Sequence, residues 1–215
     1  MMENIEIARI RRVYSLSELN ETAVLNNPFK QFSEWMEDAV ESKIIDPGAM
    51  ILATSSKHSI PSVRVVLLKG FDNEGFIFYT NYESKKGKNL LENPTASILF
   101  FWKELERQIR ICGRINKVSQ KESEKYFHSR PFESQLAAWA SNQSEVIPGR
   151  DFLEKKFNSL KEKYKDKEVP LPPYWGGFKL LADSFEFWQG RENRLHDRIS
   201  FSKDNSAWKI ARLAP

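Results

Sequence analysis

The residues best suited to bind a charged ligand begin with Arg64 and Lys69, which enclose a short apolar run in a predicted strand. Side chains alternate between the two faces of a strand, so residues five apart point to opposite faces unless a bulge intervenes. Each cation could therefore bind a different anion. The alternative is a pair of solvated charges at the ends of the strand.

A second cluster follows the next predicted strand, where a helix is expected to begin near Ser84. Lys85, Lys86 and Lys88 fall in its first turns, and the unpaired backbone N–H groups of a helix start favour a bound phosphate. The spacing differs from that of a P-loop, so nucleoside triphosphate binding is not indicated. A lysine-rich helix face exposed to solvent would give the same pattern.

A third cluster combines hydroxyl groups with a guanidinium. Tyr126 and Arg130 are four residues apart and share one face of a predicted helix, and Ser134 lies in the first turn after Pro131. Two hydroxyls and a guanidinium that converge in this way suit a phosphate monoester. His128 is expected to point away from them.

A fourth cluster lies near the end of the chain. Arg194, His196 and Arg198 alternate along a segment that reads as extended, so they should share a face. Three potential cations on one face would repel one another unless an anionic ligand or acidic residues lie opposite. The alternative is a surface strand whose cations pair with Glu192 or Asp197.

Several other chemistries find no support in the residue pattern. The three histidines, His58, His128 and His196, have neither a cysteine cluster nor HExxH spacing beside them, so no metal site is expected. GxSxG and GxGxxG motifs are absent. The single cysteine, Cys112, cannot form an internal disulfide and is interpreted as a buried, inert thiol in a reducing compartment.

Composition places the chain among globular proteins and narrows its partners. It has 215 residues, of which 40% are hydrophobic and 29% charged, so disordered and fibrous classes are excluded. The net charge is +4, and basic and acidic residues are interspersed along the chain, so we expect no nucleic-acid partner. With no run long enough to span a bilayer and no secretory signal, we expect no membrane partner and a cytoplasmic location.

The secondary-structure pattern predicts a mainly β, α+β fold: a closed antiparallel barrel with flanking helices. We expect a loose arm over residues 1–26, then a single domain over 27–215 with a helical insert at 119–166. A helix should open at Asn27-Pro28, and Asp72–Gly75 should form a hairpin turn. The predicted strands are Met50–Thr54, Val63–Lys69, Phe76–Thr80, Ala96–Trp102, Gln108–Val118, Trp175–Leu181, Phe185–Gln189, Ile199–Ser202 and Ala207–Arg212, and the further helices are Ser84–Asn93, Ser119–Ser129, Phe132–Ser141 and Gly149–Lys165.

Seven segments together resemble the pyridoxine 5′-phosphate oxidase family. They are RVVLLK (64–69), FYTNYESKKGKNL (78–90), LERQIRICG (105–113), YFHSRPFESQLAAWASNQS (126–144), PPYWGGFKL (172–180), FEFWQGRENRLHDR (185–198) and WKIARLAP (208–215). The resemblance runs in order from about Arg11 to Pro215, so we expect a complete chain. It implies an antiparallel, FMN-binding split β-barrel that forms a homodimer with FMN at the interface. The implied reaction oxidises pyridoxine 5′-phosphate or pyridoxamine 5′-phosphate to pyridoxal 5′-phosphate; O2 is the electron acceptor, H2O2 is formed, and the amine also releases ammonia.

The same resemblance assigns roles to individual positions. It implies FMN binding by Arg64, Val65, Val66, Leu67, Leu68, Lys69, Tyr79, Thr80, Lys85, Lys86, Gln108, Gln143, Ser144, Trp188 and Arg198. Within that set Arg64, Lys85, Lys86 and Ser144 would hold the FMN phosphate, and Gln108 would contact the isoalloxazine edge. It implies substrate binding by Lys69, Tyr126, Arg130 and Ser134 at the phosphate, by Arg194, Leu195 and His196 near the ring, and by the arm residues Arg11, Arg12, Val13 and Tyr14 as a lid. Arg194 and His196 would be the catalytic residues.

Two positions depart from the family pattern, and two other interpretations stay open. Lys85 stands where many members have arginine, which would weaken FMN binding somewhat, and Val13 replaces an acidic residue of the arm. The nearest alternative is another split-barrel flavoprotein, a flavin reductase or a deazaflavin binder. The second is a non-enzymatic module that binds flavin, haem or nucleic acid.

Overall fold

The computed structural model describes residues 9, 12–205 and 207–215; the predicted lid residue Arg11 lies outside them. Five α-helices lie wholly within the described residues: α1 (Pro28–Glu41), α2 (Lys85–Glu92), α3 (Gln120–Ser129), α4 (Phe132–Ala140) and α5 (Arg150–Lys163). The strands are β1 (Ala49–Ser55), β2 (Pro61–Leu67), β3 (Gly70–Phe71), β4 (Gly75–Asn81), β5 (Thr95–Trp102), β6 (Arg107–Lys117), β7 (Trp175–Gln189), β8 (Asp197–Asp204) and β9 (Ala207–Arg212).

The strands form one sheet in which neighbours along the chain are often neighbours in space. The order is β2-β1-β5-β6-β7-β4-β3, and β8 pairs with both β7 and β9. The pairs β1–β2, β3–β4, β4–β7, β7–β8 and β8–β9 are antiparallel. The register places Arg64 opposite Leu52 and Trp188 opposite Arg198.

The chain divides into two compact units. The first unit comprises residues 1–47, 99–111 and 183–215, and the second comprises 48–98 and 112–182, so β5, β6 and β7 contribute residues to both. The division into an arm over 1–26 and a single domain over 27–215 stays a prediction. Among the described residues, no helix has the length and apolar character needed to cross a bilayer.

Local sequence signals explain where helix α1 begins. The Asn27 side chain accepts hydrogen bonds from the backbone N–H groups of Phe29 and Lys30, at 2.9 and 3.2 Å, and Pro28 occupies the first helical position. The helix buries Phe32 completely in the first unit, where its ring lies 5.1 Å from that of Phe100. The start predicted from Asn27-Pro28 is confirmed.

A hydrophobic cluster packs the helices of the second unit against the start of β7. Phe127, Leu136, Val169 and Trp175 are buried together there. Trp175 is the first residue of β7, while Phe127 and Leu136 come from α3 and α4. This packing fixes helices α3 and α4 against the strand end that carries Trp175.

The structure differs from the predictions in two strands and in the burial of one side chain. Trp175–Leu181 and Phe185–Gln189 are one continuous strand, because β7 pairs with β4 along its first half and with β8 along its second. The turn at Asp72–Gly75 is confirmed, but it joins β4 to the two-residue strand β3, which was not predicted. Cys112 is half-buried rather than buried, and its Sγ lies 3.4 Å from Ser97 Oγ.

Candidate functional site

The second unit contains a cavity of about 680 Å³ whose lining is strongly basic. It lies along β2, the end of β4, the start of α2 and the end of α3. We call it the cationic cavity. Its lining residues are Ser62, Val63, Arg64, Val65, Val66, Leu67, Lys69, Tyr79, Thr80, Asn81, Lys85, Lys86, Tyr126, Arg130, Gln143, Ser144 and Trp175.

Five of those residues are cationic, and none of the described residues in the lining carries a carboxylate. The cations are Arg64, Lys69, Lys85, Lys86 and Arg130. Like charges brought this close repel one another unless an anion offsets them. The lining therefore has the chemistry of an anion site large enough for a ligand with more than one functional group.

Neutral oxygen atoms hold Arg64 in place from the neighbouring strand. Its Nη1 donates to Leu52 O at 3.1 Å and to Thr54 Oγ1 at 2.8 Å, and its Nη2 donates to Ser62 Oγ at 2.7 Å. Burial lowers the pKa of the guanidinium from its ordinary value. These bonds fix the orientation of the guanidinium, and none of them pairs it with a carboxylate.

Lys86 is held at the same cavity by a similar set of neutral groups. Its Nζ donates to Thr80 Oγ1 at 3.1 Å and to Gln143 Oε1 at 2.8 Å. Burial, and secondarily the charge of Arg64, lower the pKa of Lys86 to about 8. An anion bound here would favour the protonated lysine.

The start of helix α2 adds backbone donors and a hydroxyl beside Lys86. Ser84 caps the helix by accepting from Gly87 N at 3.2 Å, and Lys85 N donates to Ser144 Oγ at 3.2 Å. Ser144 adopts a left-handed backbone conformation with φ of 75°. These contacts bring Lys85 and Ser144 together although they are 59 residues apart in sequence.

Arg130 lies directly after α3 and packs against aromatic rings. Its guanidinium carbon is 4.7 Å from the centroid of the Trp175 ring, and Tyr126 stacks on Tyr79 with ring centroids 3.9 Å apart. Burial lowers the pKa of Arg130 and raises that of Tyr126. Nη1 of Arg130 is buried and has no hydrogen-bond partner among the described residues, so a guanidinium donor is left for a ligand.

A second cavity, of about 660 Å³, lies in the first unit. We call it the arm cavity, because three of its lining residues come from the segment before α1. The lining comprises Arg12, Val13, Tyr14, Trp188, Arg191, Glu192, Asn193, Arg194 and His196. It combines several cations with three flat rings.

The rings of the arm cavity contact one another closely. The Tyr14 ring lies edge-on to those of Trp188 and His196, at 5.7 Å from each, and Trp188 and His196 are 4.7 Å apart. Arg191 N donates to His196 Nδ1 at 3.1 Å. Burial, and then the charge of Arg194, lower the pKa of His196. Because Nδ1 accepts the hydrogen bond from Arg191 N, the neutral imidazole carries its proton on Nε2.

Most residues predicted from the sequence line one of these two cavities. The cationic cavity gathers Arg64, Val65, Val66, Leu67, Lys69, Tyr79, Thr80, Lys85, Lys86, Tyr126, Arg130, Gln143 and Ser144. The arm cavity gathers Arg12, Val13, Tyr14, Trp188, Arg194 and His196. Of the predicted residues that the structure describes, those that line neither cavity are Leu68, Gln108, Ser134, Leu195 and Arg198.

The structure corrects two expectations about side-chain direction. Arg64 and Lys69 line the same cavity rather than opposite faces, because β2 ends at Leu67 and the alternation stops there. Arg194 and Arg198 do not share one extended strand, because Arg194 ends the turn Glu192–Arg194 at a φ of 62° and β8 begins only at Asp197.

Arg198 also has a different acidic partner from those proposed. It lies on β8, and its Nε donates to Glu186 Oε1 at 2.9 Å instead of pairing with Glu192 or Asp197. In the register of β7 and β8, Glu186 lies opposite Ser200 and Arg198 lies opposite Trp188, so Glu186 and Arg198 are diagonal neighbours across the two strands. Such a cross-strand pair depends on the register, which the sequence alone did not reveal.

Sequence reasoning also missed Trp175, whose ring lies beneath Arg130 and lines the cationic cavity. The available signal was an aromatic residue followed directly by Gly176 and Gly177. A Cβ at Gly176 would lie 2.2 Å from the Tyr82 hydroxyl oxygen, so this strand end requires a residue without a side chain. Among the described residues, no cluster of His, Cys, Asp or Glu has the composition to hold a metal ion.

Two protein-family models match the chain. Residues 36–164 match the model described as pyridoxamine 5′-phosphate oxidase. Residues 175–215 match the model described as the pyridoxine 5′-phosphate oxidase C-terminal dimerisation region. The second match spans β7 to the end of the chain.

Curated relatives are similar over nearly their whole length. Pyridoxine/pyridoxamine 5′-phosphate oxidase from Microcystis aeruginosa is 52% identical, with 99% of this chain and 100% of the relative covered. The protein of the same name from Nostoc punctiforme is 50% identical, with 97% and 98% covered.

Solved structures agree with this relationship. PhzG from Burkholderia lata, crystallised with tetrahydrophenazine-1-carboxylic acid, has a TM-score of 0.88 at 29% identity over 94% of this chain and 100% of that one. An FMN-binding protein related to pyridoxamine 5′-phosphate oxidase from Nostoc punctiforme has a TM-score of 0.69 at 14% identity, over 90% and 99%, and supports the fold alone. The predicted fold class, an antiparallel split β-barrel with flanking helices, is confirmed.

Fold and cavities together define a split-barrel protein with an anion site built on its strands and helix starts. The two family matches and the relatives that are 50–52% identical identify the family within this class. The chain belongs to the pyridoxamine 5′-phosphate oxidase family.

Proposed function

We propose that this protein is an FMN-dependent oxidase of pyridoxine 5′-phosphate and pyridoxamine 5′-phosphate. The reaction consumes O2 and yields pyridoxal 5′-phosphate and H2O2; the amine substrate also consumes water and releases ammonia. The observation that carries the proposal is the cationic cavity, with five cations, no acid in its described lining and an unpartnered guanidinium nitrogen. Such a lining suits phosphorylated ligands.

The residues fit the phosphate of FMN at one part of this cavity. Arg64, Lys86 and Lys85 offer positive charge, and Ser144 offers a hydroxyl already within hydrogen-bond distance of Lys85 N. Charge-assisted hydrogen bonds from these groups would hold the phosphate. The further FMN contacts proposed are Val65, Val66, Leu67, Leu68, Lys69, Tyr79, Thr80, Gln108, Gln143, Trp188 and Arg198.

The substrate phosphate would bind near Arg130 in the same cavity. The free Nη1 of Arg130 can donate to a phosphate oxygen, and Lys69 and Tyr126 line the cavity with it. The Trp175 ring beneath the guanidinium keeps it in one orientation. Ser134 completes the proposed set from the first turn of α4.

In the proposed homodimer, the arm cavity would supply groups for the substrate ring and its reacting carbon. His196, with its proton on Nε2, can donate a hydrogen bond to a polar ring substituent, and Arg194 adds a charge beside it. Arg12 and Tyr14 would close over the ring, with Leu195 and Val13 beside them. When bound, FMN supplies a two-electron acceptor that oxygen can regenerate. The protein's part is to hold substrate and acceptor in position and to exclude water.

We also propose a homodimer with FMN at the interface and a cytoplasmic location. The match of residues 175–215 to a dimerisation region supports association between two copies. An interface site would allow residues of two chains to contact one flavin.

Peroxide release in air with each phosphorylated vitamer and its dephosphorylated counterpart tests the proposal. We expect a yellow protein that bleaches anaerobically with pyridoxine 5′-phosphate and that releases peroxide efficiently only with phosphorylated substrates. A colourless protein that does not take up FMN would contradict the proposal. Oxidation of a reduced nicotinamide without turnover of either vitamer would favour the flavin-reductase alternative instead.

A further inference from the structure

Glu106 is a buried acid in the hairpin between β5 and β6, and the proposed reaction does not use it. It follows the short helical turn Lys103–Leu105 and adopts a left-handed backbone conformation with φ of 55°. Only 5% of the residue is exposed. A carboxylate buried to this degree needs hydrogen-bond donors around it, so the groups that surround it are informative.

Within the described ranges, every hydrogen bond that the Glu106 carboxylate accepts comes from the segment before α1. Oε2 accepts from the backbone N–H groups of Ser15 and Leu16, at 2.9 and 3.1 Å. Oε1 accepts from Arg12 Nη2 at 3.2 Å. Arg12 Nη1 also donates to Lys103 O at 3.3 Å. The segment has no regular secondary structure here, so these bonds fix its path.

The backbone carbonyl of Glu106 is bonded to the two residues that lie between Trp188 and Arg191 of the arm-cavity lining. Its carbonyl accepts from Gly190 N at 2.8 Å and from Gln189 Nε2 at 3.3 Å. Gly190 lies against Tyr14 so closely that a Cβ there would be 2.8 Å from Cγ of the Tyr14 ring. Glu106 therefore bonds both to the segment that carries Arg12 and to the chain that follows Trp188, and it does so beside the contact between Gly190 and Tyr14.

We propose that Glu106 is a positioning residue that holds Arg12 and Tyr14 against the arm cavity before substrate binds. The carboxylate acts through the arm and does not touch the reacting atoms. As far as substrate is concerned, this inference rests on the proposed function. Loss of charge-assisted bonds of this kind should raise the KM for pyridoxine 5′-phosphate about tenfold while kcat at saturation changes little.

The first test compares Glu106→Gln with Glu104→Gln, which removes an exposed acid from the same turn. The amide that replaces the carboxylate keeps one acceptor oxygen and turns an N–H group toward the arm donors. We expect faster hydrogen exchange at the Ser15 and Leu16 amides, a KM about tenfold higher and unchanged FMN absorbance in Glu106→Gln. Glu104→Gln should match the wild type in all three.

A second pair of variants tests the same contact without altering the hairpin. Leu16→Pro removes the backbone N–H that donates to Glu106 Oε2. Leu16→Ala keeps that N–H and only shortens a side chain that is already 60% exposed. The KM should rise in the proline variant only. Equal KM in both variants, or wild-type exchange at Ser15 and Leu16 in Glu106→Gln, overturns the inference.

The exchange measurement needs no substrate, so it separates this inference from the proposed function. Fast exchange in Glu106→Gln together with an inactive wild type would refute the proposed oxidase activity, but it would still support the role of Glu106 in holding the segment before α1. A normal wild-type oxidase whose KM is unchanged by Glu106→Gln would refute the positioning role alone.

Discussion

Replacing Arg130 with methionine should separate ligand binding from folding. The buried Nη1 has no partner among the described residues, and an unsatisfied buried donor costs about 1–3 kcal/mol. Methionine removes that cost, keeps apolar contact with Trp175 and loses a cation–π contact worth about 0.5–2 kcal/mol. The middles of the two ranges differ by about 1 kcal/mol, so the Tm of the ligand-free protein should change by only about 2–4 °C.

The same change should weaken binding of the phosphorylated substrate strongly. Hydrogen bonds to a charged group contribute about 1.5–3 kcal/mol each, and no described acid in the cationic cavity competes for them. A loss of about 3 kcal/mol corresponds to a KM for pyridoxine 5′-phosphate about 100-fold higher. The KM of Arg130→Lys should lie between those of the wild type and Arg130→Met, because lysine keeps the charge but loses the two-pronged guanidinium and most of the stacking on Trp175.

Thermal melting of the ligand-free protein and steady-state peroxide release measure the two effects separately. The matched control is Arg150→Met, in which the removed guanidinium belongs to a side chain that is 86% exposed and paired with Glu154. That variant should retain both Tm and KM. If Arg130→Met lowered Tm by more than about 10 °C and left KM unchanged, Arg130 would be a structural cation and the reasoning about its free nitrogen would be wrong.

Two further predictions concern pH and packing. Because the pKa of Lys86 is about 8, its charged fraction falls between pH 7 and 9, and FMN should bind about tenfold more weakly at pH 9; Lys86→Arg, which stays charged, should flatten this dependence in a flavin-fluorescence titration. Gly113→Ala would place a Cβ 2.0 Å from Leu181 O and should destabilise the protein by about 3 kcal/mol in urea unfolding. Gly149→Ala, with no atom within 4 Å of its Cβ, is the control; it changes only the N-cap of α5 and should cost less than about 1 kcal/mol.

Local signals predicted the helix starts well, because a cap acts through neighbours in sequence. Asn27 and Ser84 both occupy the capping positions that their residue types favour. The helical spacing of Tyr126 and Arg130 correctly placed both on one cavity. In contrast, the extent of β7 depended on which strands pair with each half, and no residue near Asp183 indicates whether the strand continues.

Side-chain partners far apart in sequence were the least accessible to sequence reasoning. The Glu186 partner of Arg198 follows from the β7–β8 register, and the contact between Glu106 and Ser15 spans 91 residues. Composition and spacing identify neither pair, because any of 29 acidic residues could satisfy a given cation. The distances in the folded chain select one of them.

The sequence by itself determined the family, the residue types available to bind phosphate and the places where helices begin, since these depend on motif order and on contacts between near neighbours. Only the tertiary structure decided that Arg64 and Lys69 line one cavity, that Arg130 keeps a free nitrogen and that Glu106 holds the arm. Strand ends, burial and long-range hydrogen bonds arise when distant segments pack together. A rule based on sequence spacing cannot express that condition.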